Sequence, residues 1–572
     1  MWILGLLETL LFGPSLPTDT TVSYVVQAVV VRAPAWAHQA DQLPLSYEEV
    51  SWPAGAEQNA LAQVPGLTLK DYIQFQGLSI RGSSSEEVKV LFEGFPFQPQ
   101  QSGFADLQVL PRSFVGSAEI VRTANASYFG GGAMAGLANL RLPPPHTRLE
   151  VSTGPLRPWT FSIQSPLNNS RWSGRWGWAW EQQADAFRAL DPAHRPLEIT
   201  HAGGWKTGMW AEFWTGSGRG LILGGWTRRA TPWLPWTVPH PDTLETRYLL
   251  AGWETPSLRS SLTLWYTAYH TDASPPDRHQ EWQWQTQWHH GPWLLDFSWV
   301  GLRSSTVGHP QRVHLAPGVR QVIQLGSIQL FASFRLDGYS APRQMVPTGF
   351  LGVHFPLGFY TSISRGFRPP TFNELYWPED LYARGNPHLR PETSIEFETG
   401  WKIRRSSSQL AVALYRRAYH DMIRWSPDPT GKWRPVNLHH VELMGFETEG
   451  GLEIRKVRLI PRGGWIFWHR GPNLIYTPSW TGSMELQAPL GWVRWTWIGS
   501  RPERLFGPKR LPAFALLDLG LRVPLWDHRL SVAVTWQNIL DQPVAWVRGY
   551  PMPGRTWEVR IQWQPEQKGG AP

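Results

Sequence analysis

The stretch HQEWQWQTQWH, His279–His289, alternates with period two. Trp282, Trp284, Thr286 and Trp288 fall on one side, and Gln283, Gln285 and Gln287 fall on the other. Successive side chains leave a β-strand on opposite faces, so this pattern is a strand with one aromatic and one amide face. A soluble sandwich would bury the tryptophans. A membrane barrel would turn them to lipid and wet the glutamines inside. Alternation alone leaves both open.

The same texture runs along most of the chain. RLSVAVTWQN (Arg529–Asn538) sets Leu530, Val532, Val534 and Trp536 against Ser531, Ala533, Thr535 and Gln537. SIEFETGWKI (Ser394–Ile403) sets Ile395, Phe397 and Trp401 against Glu396, Glu398 and Lys402, and RTWEVRIQW (Arg555–Trp563) repeats the scheme. Turn segments such as SPLNNSR, TGSGRG and RSSS separate the strands as hairpin connections do. No segment after Leu16 reaches the roughly 18 uninterrupted apolar residues of a membrane helix. A membrane protein built this way must be a closed barrel, because only closure also satisfies every backbone group in lipid.

Composition fits. The chain carries 36 Trp, and 51 Pro beside 53 Gly; indole rings favour the membrane interface, and the other two mark many turns. There is no cysteine, which excludes disulfides and thiolate metal sites. The net charge of +8 is scattered rather than blocked, so it speaks for anionic headgroups and not for nucleic acid. Met1–Leu16 is similar to the apolar region of a secretory signal, without a basic start or a small-residue cleavage site, and residues 1–17 are expected to be an atypical leader.

Near Pro143-Pro144-Pro145 the texture changes from mixed segments to regular alternation. Four blocks then carry a family resemblance. LAQVPGLTLKDYIQFQGLSIRGSSSEEVKVLFEGFPFQPQQSGF from Leu61 resembles the plug of TonB-dependent outer-membrane receptors, and SAEIVRTANASYFGGGAMAGLANL (Ser117–Leu140) resembles its closing segment. SRGFRPPTFNELYWPEDLYARGNPHLRPETSIEFETG (Ser364–Gly400) and QNILDQPVAWVRGYPMPGRTWEVRIQW (Gln537–Trp563) are similar to family barrel and C-terminal signatures.

The resemblance implies an all-β transmembrane barrel of 22 antiparallel strands, with an N-terminal α/β plug inside the lumen. The expected divisions are a TonB-coupling segment and first plug strand at 18–34, a plug at 35–142, a barrel at 143–563 and a tail at 564–572. It also implies active import of a scarce, large nutrient across the cell outer membrane, driven through TonB and its inner-membrane complex, with no bond broken. Within the family the chain is most similar to the cobalamin group; a ferric-siderophore receptor is the alternative. A passive porin or adhesin barrel would lack the plug blocks. No catalytic motif such as G-x-S-x-G or a P-loop is present, so no enzyme is expected. A monomer in outer-membrane lipid is expected.

Several residues follow as candidates. A mobile extended segment able to add a strand to TonB is expected at Asp19, Thr20, Thr21, Val22, Ser23 and Tyr24, with VVQAVVVRA as the other choice. Plug arginines Arg81 and Arg122 are expected to latch onto inward barrel carboxylates Glu398 and Glu449; strand parity turns Glu396 and Glu447 inward as well. Tyr72, Phe75 and Gln76 in one loop, and Gln98, Gln100, Gln101 and Phe104 in another, are expected to floor the ligand site. Asp185 and Asp191 are candidate Ca²⁺ ligands without tight spacing; no other cofactor or metal is expected. Trp563 is the expected terminal aromatic of the barrel.

Overall fold

The computed structural model describes residues 47–565 except for 52–60, 62–63, 74, 125, 169–171, 235, 237–238, 272–273, 406–407 and 527–528. The expected coupling residues Asp19–Tyr24 and the leader lie outside the described residues.

Twenty-two antiparallel strands close into one barrel, from Arg148–Thr153 to Thr556–Trp563. Closure joins the last strand to the first, with Val559 opposite Thr153 and Trp563 opposite Leu149. Trp563 ends the final strand, as expected.

The wall is inside-out relative to a soluble protein. On the strand Glu392–Arg405, Ile395 and Phe397 are 42% and 49% exposed while Glu396 and Glu398 are 1% and 0% exposed. The opening stretch behaves alike: Trp284 and Trp288 face outward, whereas Glu281 and Gln283 are buried inside. Apolar faces outward and charges inward suit a barrel wall in lipid around a polar interior.

The two ends differ. At one end strands are joined by very short turns, such as the two residues between Thr215 and Gly218 and between Leu325 and Ile328. At the other end lie the long connections 184–203, 369–391, 499–513 and 538–555. Short turns mark the periplasmic rim and long loops the external one. Strands Ser408–Pro427 and Trp433–Ile454 are 20 and 22 residues long and rise beyond their neighbours at the external end.

Aromatic rings are laid across glycines in the wall. Trp210 faces Gly177 across the ladder, Tyr248 faces Gly225, Trp282 faces Gly301, Tyr415 faces Gly445 and Trp492 faces Gly520. A Cβ on any of these glycines would overlap the opposite ring. The missing side chain leaves the strand a shallow seat, and the ring supplies the covering area that the glycine lacks. Part of the high Trp and Gly content therefore has one common origin.

Inside the barrel is a plug whose five-stranded sheet has the order Tyr47–Ser51, Ser117–Val121, Gly136–Arg141, Val88–Phe92, Phe95–Pro96, beside a hairpin of Leu67–Asp71 and Gln76–Ile80. Only the Val88–Phe92 and Gly136–Arg141 pair is parallel. The expected α/β character is reduced: among the described plug residues the one α-helix is the single turn Ala126–Phe129, and 3-10 turns fill the rest. With so many short Gly- and Pro-punctuated segments, no helix among the described plug residues reaches the length at which it would stand alone.

The plug is mounted on one side by apolar contact. Phe92, Phe95, Phe97 and Phe114 form one core with barrel residues Trp210, Leu223, Tyr248 and Trp265. Each fully buried large apolar side chain there contributes about 1.5–3 kcal/mol. Spin labels will report the wall's orientation: those replacing Trp284 and Trp288 are expected to be relaxed by lipid-soluble quenchers, and those at Gln285 and Gln287 are not. Equal relaxation on both faces would contradict the assignment.

Candidate functional site

The SIRG segment ends the plug strand Gln76–Ile80 in a tight turn, with Arg81 at φ 51° and Gly82 at φ 79°. The turn throws the Arg81 side chain across to the barrel wall. Its Nε and Nη2 donate to Glu447 at 2.9 and 2.7 Å, and Nη1 meets Glu398 at 2.5 Å and also Glu396. The guanidinium lies 4.0 Å from the Tyr415 ring centre. Burial would weaken its hold on its proton, but Glu398, Glu447 and Glu396 outweigh that and hold its pKa well above the ordinary value.

Two more arginines complete the seam. Arg417 of the barrel donates to Glu396 at 2.6 Å and to the plug carbonyls of Ile80, Arg122 and Ala135 at 3.0–3.2 Å. Arg122 reaches Glu447 at 3.5 Å and the carbonyl of Pro65 at 3.1 Å. Three guanidinium groups thus face three carboxylates in a place that excludes water, which is the condition under which buried charge is tolerated. The Arg81–Glu398 contact is as expected. The Glu449 contact is not: Glu449 pairs with Arg462 of the neighbouring strand at 3.5 Å, and Glu447 takes its expected role. Both face inward, but one step of two residues moves a carboxylate about 7 Å along the wall.

Further tethers circle the plug. Glu93, in the FEGFP turn at φ 50°, binds Arg219 at 2.6 Å, Arg141 at 3.0 Å and the amide of Leu142 at 2.7 Å. Glu87 binds Arg424 at 2.6 Å, Asp106 binds Arg229 at 2.8 Å, and Arg112 binds Glu558 at 2.9 Å. Glu281 accepts the amides of Gln100 and Gln101 at 2.7 Å each. Sequence reasoning missed these; the available signal was the charged residue on the polar face of each barrel strand.

The loops expected to floor the ligand site are at the plug's external apex. Tyr72 packs edge-on against Tyr550 at 5.4 Å, and Phe75 against Phe104 at 6.3 Å with Arg229 over its ring. Gln76 and Gln98 differ from expectation: the Gln76 side chain donates to Asp71 at 2.9 Å, and the buried Gln98 bonds Gly103 and Val90. Both hold their own loops in shape. Gln100 and Gln101 use backbone amides on the wall and leave half-buried side chains. Burial pushes the Asp71 carboxyl up to about 6, against the bonds it accepts from Ile73 and Gln76.

Above the apex three external loops are stitched together. Ala189 bridges Pro553, Thr200 bridges Trp233, and Ile73 of the plug is buried with Ala189, Ile199, Ala202 and Leu234. This part of the mouth is roofed. Asp185 and Asp191 belong to these loops, where Asp185 accepts the amide of Gly203 at 3.3 Å and Asp191 accepts those of Ala193 and Arg195 at 2.8 and 2.9 Å. Among the described residues no three His, Asp or Glu side chains gather as metal ligands would.

A closed 22-stranded barrel that holds its own N-terminal domain in the lumen is the architecture of an outer-membrane receptor. Comparison with known proteins agrees. The family described as "TonB dependent receptor-like, beta-barrel" matches residues 310–539, and "TonB-dependent Receptor Plug Domain" matches 51–137. The chain is 22% identical over 426 residues to the vitamin B12 transporter BtuB of Photobacterium profundum, covering 68% of this chain and 69% of that protein. It is 41% identical over 96 residues to BtuB of Vibrio vulnificus, a match spanning 17% of this chain and 15% of that relative's length. The siderophore receptor PirA of Acinetobacter baumannii superposes with a TM-score of 0.73 at 14% identity, covering 92% of this chain and 99% of that one. The hemophore receptor HasR of Serratia marcescens gives 0.72 at 15% identity, covering 91% and 99%. The chain belongs to the TonB-dependent receptor family and is an outer-membrane protein.

Replacing Arg81 with Ala removes the cation shared by three buried carboxylates, leaving Glu396 to Arg417 and Glu447 to Arg122, and is expected to destabilise the seated plug by roughly 3–5 kcal/mol. Glu449→Gln is expected to cost less than half of that. Protease sensitivity of the plug against denaturant reads both, and equal effects would refute the reassignment from Glu449 to Glu447.

Proposed function

We propose that this receptor imports a large polar nutrient of the corrinoid type by a TonB-driven displacement of the plug. The observation that carries active transport is the filled lumen. Among the described residues, apolar core on one side and buried ion pairs on the others join the plug to the wall, so passage of a large solute needs work done on the plug. Each buried pair is costly to break by removing one partner, yet a pull that rehydrates both partners together returns them to water. Such a seam holds at rest and yields to directed force.

The corrinoid is supported by the relatives named as vitamin B12 transporters. The ferric-siderophore alternative draws on receptors alike in fold alone. The coupling segment in this reading is Asp19–Tyr24, adding a strand to TonB. Tyr72, Phe75, Gln100, Gln101 and Phe104 remain the proposed apical contacts. The protein acts as a monomer in this reading, since a closed barrel leaves no strand edge to pair.

Cyanocobalamin titrated into the detergent-solubilised receptor is expected to bind at micromolar concentration or tighter. Deleting residues 19–24 is expected to abolish uptake by cells while leaving that binding intact. Absence of binding would sink the corrinoid reading; uptake unaffected by the deletion, or by loss of TonB, would sink the coupling.

A further inference from the structure

On one side of the plug a gap remains between its contacts with the wall. Between plug segments 96–103 and 130–132 and the barrel strands from 274 to 368 lies a cleft of about 80 Å³. Its shape depends on three successive glycines. Gly130 and Gly132 have φ 88° and 91°. A Cβ on Gly130 would come 3.1 Å from Lys89 Nζ and 3.3 Å from Arg335 Nη2, and one on Gly131 would overlap Tyr339, while Gly132 meets nothing within 4 Å. The loop presses its backbone into the wall at one end and opens to empty space at the other.

Two of the cleft's cations are already paired within the barrel. Lys89, Arg312, Arg335 and Arg368 line the cleft, together with Glu86. Arg335 is held by Asp337 at 2.7 Å and by Asp296; Arg368 is held by Glu374 at 2.9 Å and by Glu392. Arg335 and Arg368 are thus each engaged by two carboxylates of the barrel. Burial, with Arg335 nearby, pushes the Lys89 ammonium down to about 8. Its Nζ donates to the carbonyl of Phe129 at 2.5 Å. A polyanionic chelate entering here would face Glu86 and would have to draw Arg335 and Arg368 from their own carboxylates, at the high cost of leaving buried charge unpaired.

What the cleft does offer is unused hydrogen bonding. Arg312 donates to the carbonyls of Ala341 and Pro370 at 2.6 and 2.7 Å, yet its Nη1 is buried with no partner. Among the described residues, no hydrogen bond uses the side-chain amide of Gln100 or of Gln285. A buried donor left unsatisfied is unfavourable until a ligand acceptor arrives.

Resting on the import reading above, we infer that this cleft is a substrate subsite for an uncharged, carboxamide-bearing edge, recognised by Arg312, Gln100 and Gln285 and closed to anionic ferric chelates. A corrin ring rimmed with primary amides presents such an edge. A ferric tris-catecholate, with its net negative charge, does not. The cargo would then contact the wall side of the plug in addition to its apex, beside the external turn Phe372–Tyr376, whose first amides bond the carbonyls of Gln100 and Gln101.

The native chain has no cysteine, so Gln285→Cys supplies a single reporter thiol. Its reaction is compared with that of Ser217→Cys on an exposed turn, using neutral, cationic and anionic methanethiosulfonates on the folded receptor. The anionic reagent is expected to be slowed about tenfold relative to the neutral one at 285 and not at 217. Cyanocobalamin is expected to protect the thiol at 285, and Arg312→Met to weaken cyanocobalamin binding about tenfold, with Gln100→Leu as a second variant that leaves the wall intact. Binding without protection, and unchanged in both variants, would overturn the subsite while leaving the import reading in place. If the unmodified receptor does not bind cyanocobalamin, the corrinoid reading fails and the charge series decides alone: preference for the anionic reagent overturns the subsite, and its exclusion upholds it.

Discussion

A peptide group surrounded by hydrocarbon has no water to bond and must find its partner within the chain. Everything else in this receptor follows from that constraint. It forces the strands to close, from Arg148–Thr153 round to Thr556–Trp563, and closure creates a lumen. The same wall must then be apolar outside and polar inside, which places Glu396, Glu398, Glu447 and their kind in the interior. A plug that fills such a lumen has to meet those charges with its own.

The result is a domain held by two different kinds of force. On one side, phenylalanines of the plug share a core with wall aromatics, a contact that resists separation because it excludes water. Elsewhere the contact is ionic, centred on Arg81 and its three carboxylates and repeated at Glu87, Glu93 and Arg112. Ionic contacts are the ones that admitted water dissolves, so the polar sides are the sides able to let go. The cleft beside Gly130–Gly132 lies along one of them.

Much of this was legible in the sequence, and the remainder was hidden for identifiable reasons. Period-two alternation gave the strands, and the SIRG and Gly-rich blocks told which face met lipid by placing a plug inside. Parity correctly turned Glu398 and Glu449 inward. Parity, though, reports a face and not a height, and height decided that Glu447 rather than Glu449 meets the plug. Gln76 and Gln98 read as ligand contacts because an amide in a loop looks the same whether it serves a substrate or its own backbone. The roofed apex was invisible for another reason: Ala189 and Pro553, which bridge there, lie hundreds of residues apart.

The aromatic–glycine seats in the wall carry a consequence for how such a chain can vary. At Gly177 and Trp210, or Gly520 and Trp492, neither residue is independently replaceable. Enlarging the glycine evicts the ring, and shrinking the ring uncovers a bare backbone. Substitutions there would have to arrive as couples, so these positions are expected to covary across a lineage even though they touch no cargo. The tryptophan abundance of the barrel is in that sense partly inherited from its glycines.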